Sequence, residues 1–302
     1  MGKRIFAAII ATLIFLTIGG CSNDNGNIEI NNTDETDVYN RGNNEAEEEI
    51  ITPNYTLNMS EEIWTGLNTE NIRRFQSKED FIGAVEYYIK AISEFVSREN
   101  WFDYYNRYGS ICRIEILMTD GISRVTVSNV YRVTVYLRQA FFEYDLAPIA
   151  HEIAHVVIPW RNRSRSLSEG LASYLQDRFG KNPTIFNWGI DPHTIANLYM
   201  NNASEAFGTH SVYADGALRP LFYNMSNSFV TYLIDTFGIA NFMSVFESDN
   251  LIDAYYIYFG KPFEDIREDW LGFLESYQDL MTLEEYSNYL VELFTRHNFP
   301  LG

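Results

Sequence analysis

The five residues His151-Glu152-Ile153-Ala154-His155 constrain this chain more than any other stretch of it. Two histidines four positions apart face the same way when the backbone between them is helical. They then differ by about 40° around the axis and by one turn in height. Leu146, Ala147, Ile149, Val156 and Val157 flank the motif with apolar side chains, so a helix is expected over Leu146 to Val157. Both imidazoles can reach one zinc ion from such a helix, while Glu152, offset by about 100°, points beside the metal.

A zinc ion that does chemistry needs a third protein ligand and one position left for water, which sends the search a short way downstream. Leu167-Ser168-Glu169-Gly170-Leu171-Ala172 supplies a carboxylate at the start of a second helical pattern, Leu167 to Phe179. With Ser166 or Ser168 as its cap and Pro159 in the connection, this helix would turn back on the first and present Glu169 to the same ion. The expected ligand set is His151, His155 and Glu169, holding one Zn2+ per chain.

The bulk composition sets the surroundings. The 302 residues are 46% hydrophobic and 16% aromatic, enough for a substantial core, and the formal charge of −19 excludes nucleic acid as a partner because phosphate backbones require clustered cations. Residues 1–20 read as a signal peptide: Lys3 and Arg4 precede an apolar run from Ile5 to Ile18 that is short for a membrane span. The ending Ile18-Gly19-Gly20-Cys21 resembles the bacterial lipobox, which implies diacylglycerol on Cys21, attachment to the membrane through that lipid, and an extracytoplasmic, cell-surface location. An uncut N-terminal anchor is the alternative, and it leaves the rest of the chain outside the cytoplasm as well.

Residues 21–54 are dominated by Asn, Asp, Glu and Gly and read as a lipidated N-terminus followed by an acidic, flexible tether; Asn23-Asp24-Asn25-Gly26 lacks the spacing of a calcium loop. Lipidation of Cys21 leaves Cys112 without a disulfide partner, and its apolar neighbours Ile111, Ile114 and Ile116 mark it as a buried small hydrophobe. The folded domain is expected over 55–302. Lys78 to Val96 has helical spacing, and Ile114 to Met118, Arg124 to Ser128 and Arg132 to Gln139 read as a small antiparallel sheet turned at Asp120-Gly121 and Asn129. Further helices are expected at Asn227 to Phe237, Ala240 to Phe246, Phe263 to Tyr277 and Leu283 to Thr295, while Lys181 to Pro220 follows no clear pattern.

His-Glu-x-x-His followed by Ser-Glu-Gly-Leu-Ala-x-Tyr, ending here at Tyr174, resembles the gluzincin zinc metallopeptidases, the clan that includes thermolysin. The resemblance is strong over Leu146 to Phe179 and weaker over Tyr223 to Gly238. It implies an α+β fold of two lobes: a small mixed or antiparallel sheet lobe at about 55–157 that ends in the first zinc helix, and a mostly helical lobe at about 158–302. A peptide substrate would lie in the cleft between them, as an added strand along Arg132 through Phe142. It implies hydrolysis of peptides or proteins by a monomer, with Glu152 as general base and a Tyr or His of the helical lobe steadying the oxyanion. Tyr223 is the first candidate for that last role, and His210 and Tyr213 are alternatives.

The pattern is also incomplete. Ser173 stands four residues after Glu169, where larger gluzincins carry an acid, so another group must orient a histidine ligand. Neither a Gly-Ala-Met-Glu-Asn motif nor the Asn-Ala substrate motif is present, and endopeptidase action is only a preference. Arg161, Arg163 and Arg165 crowd the loop between the zinc helices, where they either orient an anionic substrate or pair with nearby carboxylates. His193 reads as an ordinary loop residue. Two other functions remain compatible with the residues: a catalytically silent binding lipoprotein, and a zinc hydrolase acting on a non-peptide amide of the cell wall.

Overall fold

Alternation of buried and outward residues lays out a four-stranded sheet in the computed structural model, which describes residues 54–106, 111–129, 132–159, 164–184, 187–203, 219–277 and 280–299. The expected signal peptide, Cys21, the tether up to residue 53, Arg161, Arg163, His210 and Tyr213 lie outside the described residues. The strands are β1 (Tyr55–Asn58), β2 (Cys112–Thr119), β3 (Arg124–Asn129) and β4 (Arg132–Arg138), in the spatial order β1-β2-β4-β3. In β2 the buried Cys112, Ile114 and Ile116 alternate with Arg113 and Glu115, the period-two pattern of a strand with one face on a core. In β4 Val133, Thr134 and Val135 are buried consecutively, so both faces of the sheet are covered there.

The expectation of an antiparallel sheet is corrected by this order. β1 runs parallel to β2, β2 parallel to β4, and only β3 and β4 are antiparallel. Asp120-Gly121 therefore does not fold β3 back onto β2; it carries the chain across to the far side of β4. The substrate edge expected along Arg132 to Phe142 is corrected with it: both edges of β4 are occupied, and the outer strand on that side is β3.

Eleven helices complete the described α+β fold: α1 (Glu61–Thr65), α2 (Lys78–Phe95), α3 (Gln139–Glu143), α4 (Ile149–Val157), α5 (Arg165–Leu175), α6 (Pro192–Ala203), α7 (Arg219–Phe237), α8 (Ile239–Phe246), α9 (Leu251–Phe259), α10 (Phe263–Leu274) and α11 (Leu283–Arg296). Their ends are set by local chemistry. Ser77 accepts from the Asp80 amide at 3.2 Å to open α2, whose Phe81, Val85, Tyr88, Ile89 and Ile92 make one buried stripe. Thr282 and Glu285 form a reciprocal capping box at the start of α11. One continuous apolar core runs from Met59 to Phe299, and within it α4 packs against α2, α5, β3 and β4, and α5 against α7. Among the described residues no helix is long and apolar enough to cross a membrane.

Several expected boundaries move for physical reasons. α4 begins at Ile149, not Leu146, because Pro148 disfavours helical geometry at Ala147, and Asp145 turns the chain with φ of 65°. α5 is capped by Ser164, whose Oγ accepts from the Leu167 amide at 3.4 Å, and not by Ser166 or Ser168. It ends at Leu175 and widens into a π turn over Gln176–Gly180. α7 begins at Arg219 instead of Asn227, and α6 and α9 were not anticipated. Cys112 is buried as expected, and burial pushes its thiol up to about 12, far from a reactive thiolate.

Candidate metal centre

α4 carries His151 and His155 on one face, one turn apart, and α5 brings Glu169 up to them. His151 Nε2 and His155 Nε2 are 3.3 Å apart, His155 Nε2 and Glu169 Oε2 3.3 Å, and His151 Nε2 and Glu169 Oε2 3.2 Å. These three atoms make a nearly equilateral triangle. A tetrahedral zinc with ligand bonds of about 2.0–2.1 Å spaces its ligand atoms about 3.3–3.4 Å apart, so the triangle has the dimensions of one face of such a tetrahedron. Two ring nitrogens and a carboxylate oxygen are also the donor set that zinc accepts. The three residues are the group among the described residues that could hold a metal ion. The open side of the triangle is reached through His155 and Glu169, whose side chains are 20% and 18% exposed, while His151 is buried.

The electrostatics fit a place made for a cation. Burial lowers His151 to about 4, although Glu169 beside it works in the opposite direction. Burial opposes charge on His155 too, yet the Glu169 carboxylate wins and raises it above the usual imidazole value. Burial alone would raise Glu169, but the charge of His155 and hydrogen bonds from both histidines hold it well below the ordinary carboxylate range. Glu152 is pushed up to about 8 by burial, partly opposed by His155 and by Arg124 of the outer strand β3. A carboxyl raised this far by burial, next to the triangle of donor atoms, is of the kind found at functional sites.

The groups around the triangle hold it in place. Ser173 Oγ lies 3.4 Å from His151 Nδ1, so a proton on Nδ1 would point at the serine oxygen and leave Nε2 free to accept a metal. The expectation that another group must orient the histidine is thereby corrected: Ser173 itself stands at Nδ1, with a neutral oxygen in place of a carboxylate. The Gln176 carboxamide oxygen accepts from the His151 backbone N–H at 3.2 Å. The Tyr105 hydroxyl donates to the Val156 carbonyl at 2.9 Å and fixes the far end of α4. Neither Gln176 nor Tyr105 had a sequence signal, since each acts across more than 20 positions on a backbone group.

Tyr223, at the start of α7, stands with its ring 5.9 Å from the His151 ring and is half-buried, which puts it beside the triangle. Arg165 is exposed in the first turn of α5. His193 is corrected from a loop residue to a buried residue of α6: its Nδ1 lies 2.9 Å from Ser228 Oγ, which also accepts from Trp270 Nε1 at 3.1 Å. The helix was hidden by its irregular preceding loop; Asp191 opens it by accepting from the Thr194 amide at 2.9 Å. His193 pins helices together and is not part of the His151, His155 and Glu169 group.

No protein-family model, curated protein or solved structure matches the chain.

Proposed function

We propose that the protein is a gluzincin-type zinc metallopeptidase that hydrolyses peptides at the outer face of the membrane, held there by lipid on Cys21. The observation that carries this reading is the triangle of His151 Nε2, His155 Nε2 and Glu169 Oε2, whose edges of 3.2 and 3.3 Å suit tetrahedral zinc. Zinc bound there would supply a polarised water whose pKa falls toward 7.

Glu152 would act as general base toward that water and as general acid toward the leaving amine, a task for which a carboxyl raised toward neutrality is suited. Tyr223, whose ring lies 5.9 Å from that of His151, would donate its hydroxyl to the carbonyl oxygen as negative charge develops on it. β3 offers the outer sheet edge along which an extended peptide can add as a further strand, next to α4. In this reading the sheet and α4 form one wall of a two-lobed enzyme and α5 with the later helices form the other.

The test compares zinc content and hydrolysis of an unbiased peptide library for the wild-type chain and Glu152→Gln. About one zinc per chain in both, with cleavage lowered about 10²–10⁴-fold in the variant, is the expected result. Zinc in both and cleavage in neither would overturn the peptidase reading in favour of a binding lipoprotein or a hydrolase of cell-wall amides.

A further inference from the structure

The first N–H groups of an α-helix have no carbonyl partner within the helix and must find acceptors elsewhere. α4 begins after Pro148, which offers no side-chain cap. The third residue of α4 is His151, a ligand of the candidate centre, and its N–H is taken by Gln176 Oε1 at 3.2 Å. Gln176 belongs to the π turn that follows α5, the helix that carries Glu169. One buried carboxamide thus joins the backbone of one candidate ligand to the helix of another.

The carboxamide is held from its other end as well. Its Nε2 donates to Asn182 Oδ1 at 2.8 Å, and Arg74 Nη1 donates to the same oxygen at 3.0 Å. Asn182 Nδ2 in turn reaches the carbonyls of Asp145 at 3.4 Å and Ala147 at 3.3 Å, in the turn that leads into α4, while Arg74 pairs with Asp145. The turn before α4, the start of α4 and the end of α5 are therefore tied through Gln176 and Asn182.

Gly180 supplies an independent sign. It does not lie in the left-handed region, so its backbone does not call for glycine. A Cβ on it would stand 2.0 Å from Gln176 Nε2 and 2.6 Å from its Cδ. The space above Gly180 is filled by the Gln176 side chain.

We propose that Gln176 is a positioning residue for the metal centre: it caps α4 at His151, fixes α4 against α5, and so sets the spacing of His151 and His155 relative to Glu169. The proposal rests on the metal-site reading above. Gln176 touches no reacting atom; it acts through the His151 backbone. π turns recur at functional sites, and here the turn is what presents Gln176 to α4.

The test uses the full chain purified in detergent, with zinc affinity measured by competition against a chromophoric chelator and amide exchange followed at His151. Gln176→Leu removes the acceptor. Gly180→Ala leaves Gln176 in the chain but forces its carboxamide out of place, and Gln176→Glu keeps an acceptor facing the amide. The expected result is zinc binding weakened about 10–100-fold in Gln176→Leu and Gly180→Ala, with faster exchange at His151, and recovery of most of the affinity in Gln176→Glu. Wild-type zinc affinity in both Gln176→Leu and Gly180→Ala, even with a lower melting temperature, would overturn the proposal and leave Gln176 a purely structural residue. If the wild-type chain itself bound no zinc, the metal-site reading would fall and this proposal with it, a result distinct from variants that match a zinc-binding parent.

Discussion

Gly170 lies against the backbone of Ser226 so closely that a Cβ on it would stand 2.4 Å from the Ser226 carbonyl oxygen and 2.6 Å from Val230 Cγ2. The glycine after Glu169 is thus the contact point of α5 with α7. Gly170→Ala can be accommodated only by moving one helix away from the other, at a cost of about 1–3 kcal/mol, and the move drags the neighbouring Glu169 from the histidines. Gly83 in α2 and Gly272 in α10 have nothing within 4 Å of a built Cβ, so alanine there should stabilise by about 0.5–1 kcal/mol. Urea unfolding of the three variants, with zinc content of the first, checks the contrast. A Gly170→Ala protein as stable and as zinc-rich as wild type would disprove the close packing.

Ser173 orients His151 with a neutral oxygen 3.4 Å from Nδ1. Ser173→Ala removes that acceptor with little change in volume, and zinc affinity is expected to fall about tenfold, at the low end for such partners because no charge is lost. Chelator competition reads this directly. Unchanged affinity would mean that the His151 ring is aligned by its packing alone.

Zinc uptake should release protons, and the pKa shifts give the sign. Glu169 raises His155, so the metal-free protein keeps a proton there to higher pH than an ordinary imidazole would, and zinc must displace it. Glu152, raised to about 8, is mostly neutral at pH 7 until a nearby dication drives it to ionise. His151, lowered to about 4, and Glu169, held below the carboxylate range, have no proton to give. Zinc affinity therefore rises with pH as His155 and Glu152 give up their protons, and falls as acid restores them. Calorimetric titration in buffers of different ionisation heat should show that Glu152→Gln releases about one proton fewer than wild type at pH 7. Equal release by the two would place Glu152 in its ionised form before zinc arrives.

The residues of the centre were readable in the sequence because they follow one another on local helices: spacing alone puts His151 and His155 on one face, and Glu169 opens the next helical pattern. The capped and striped helices α2 and α11 were readable for the same reason, since Ser77, Thr282 and the buried stripe of α2 are local signals. α9 was not, because its apolar residues do not follow a buried stripe: Ile252, Tyr256 and Ile257 are each 67% exposed, and the helix is fixed by the Asn250 cap and the left-handed Gly260 instead. Three of the four strands were found, β1 was not, and of the pairings only the antiparallel one of β3 with β4 was as expected. Period-two alternation in β2 and β4 says that each is a strand, while parallel pairing is decided by packing across the sheet. Ser173 was noticed in the sequence but its contact with His151 was not expected, and Gln176 was beyond reach altogether, as their partners on α4 lie 22 and 25 positions away.

The parallel pairings also set a timetable for folding. β1 meets β2 with Tyr55 opposite Cys112, a separation of 112 − 55 = 57 residues, whereas His151 and Glu169 are only 169 − 151 = 18 apart. Closing the longer loop costs chain entropy that its few strand contacts return late, so α4 and α5 can associate before β1 joins the sheet. Metal present during folding would then meet its ligands before β1 docks, and the rate-limiting event would belong to the outer strand of the sheet, far along the chain from the chemistry.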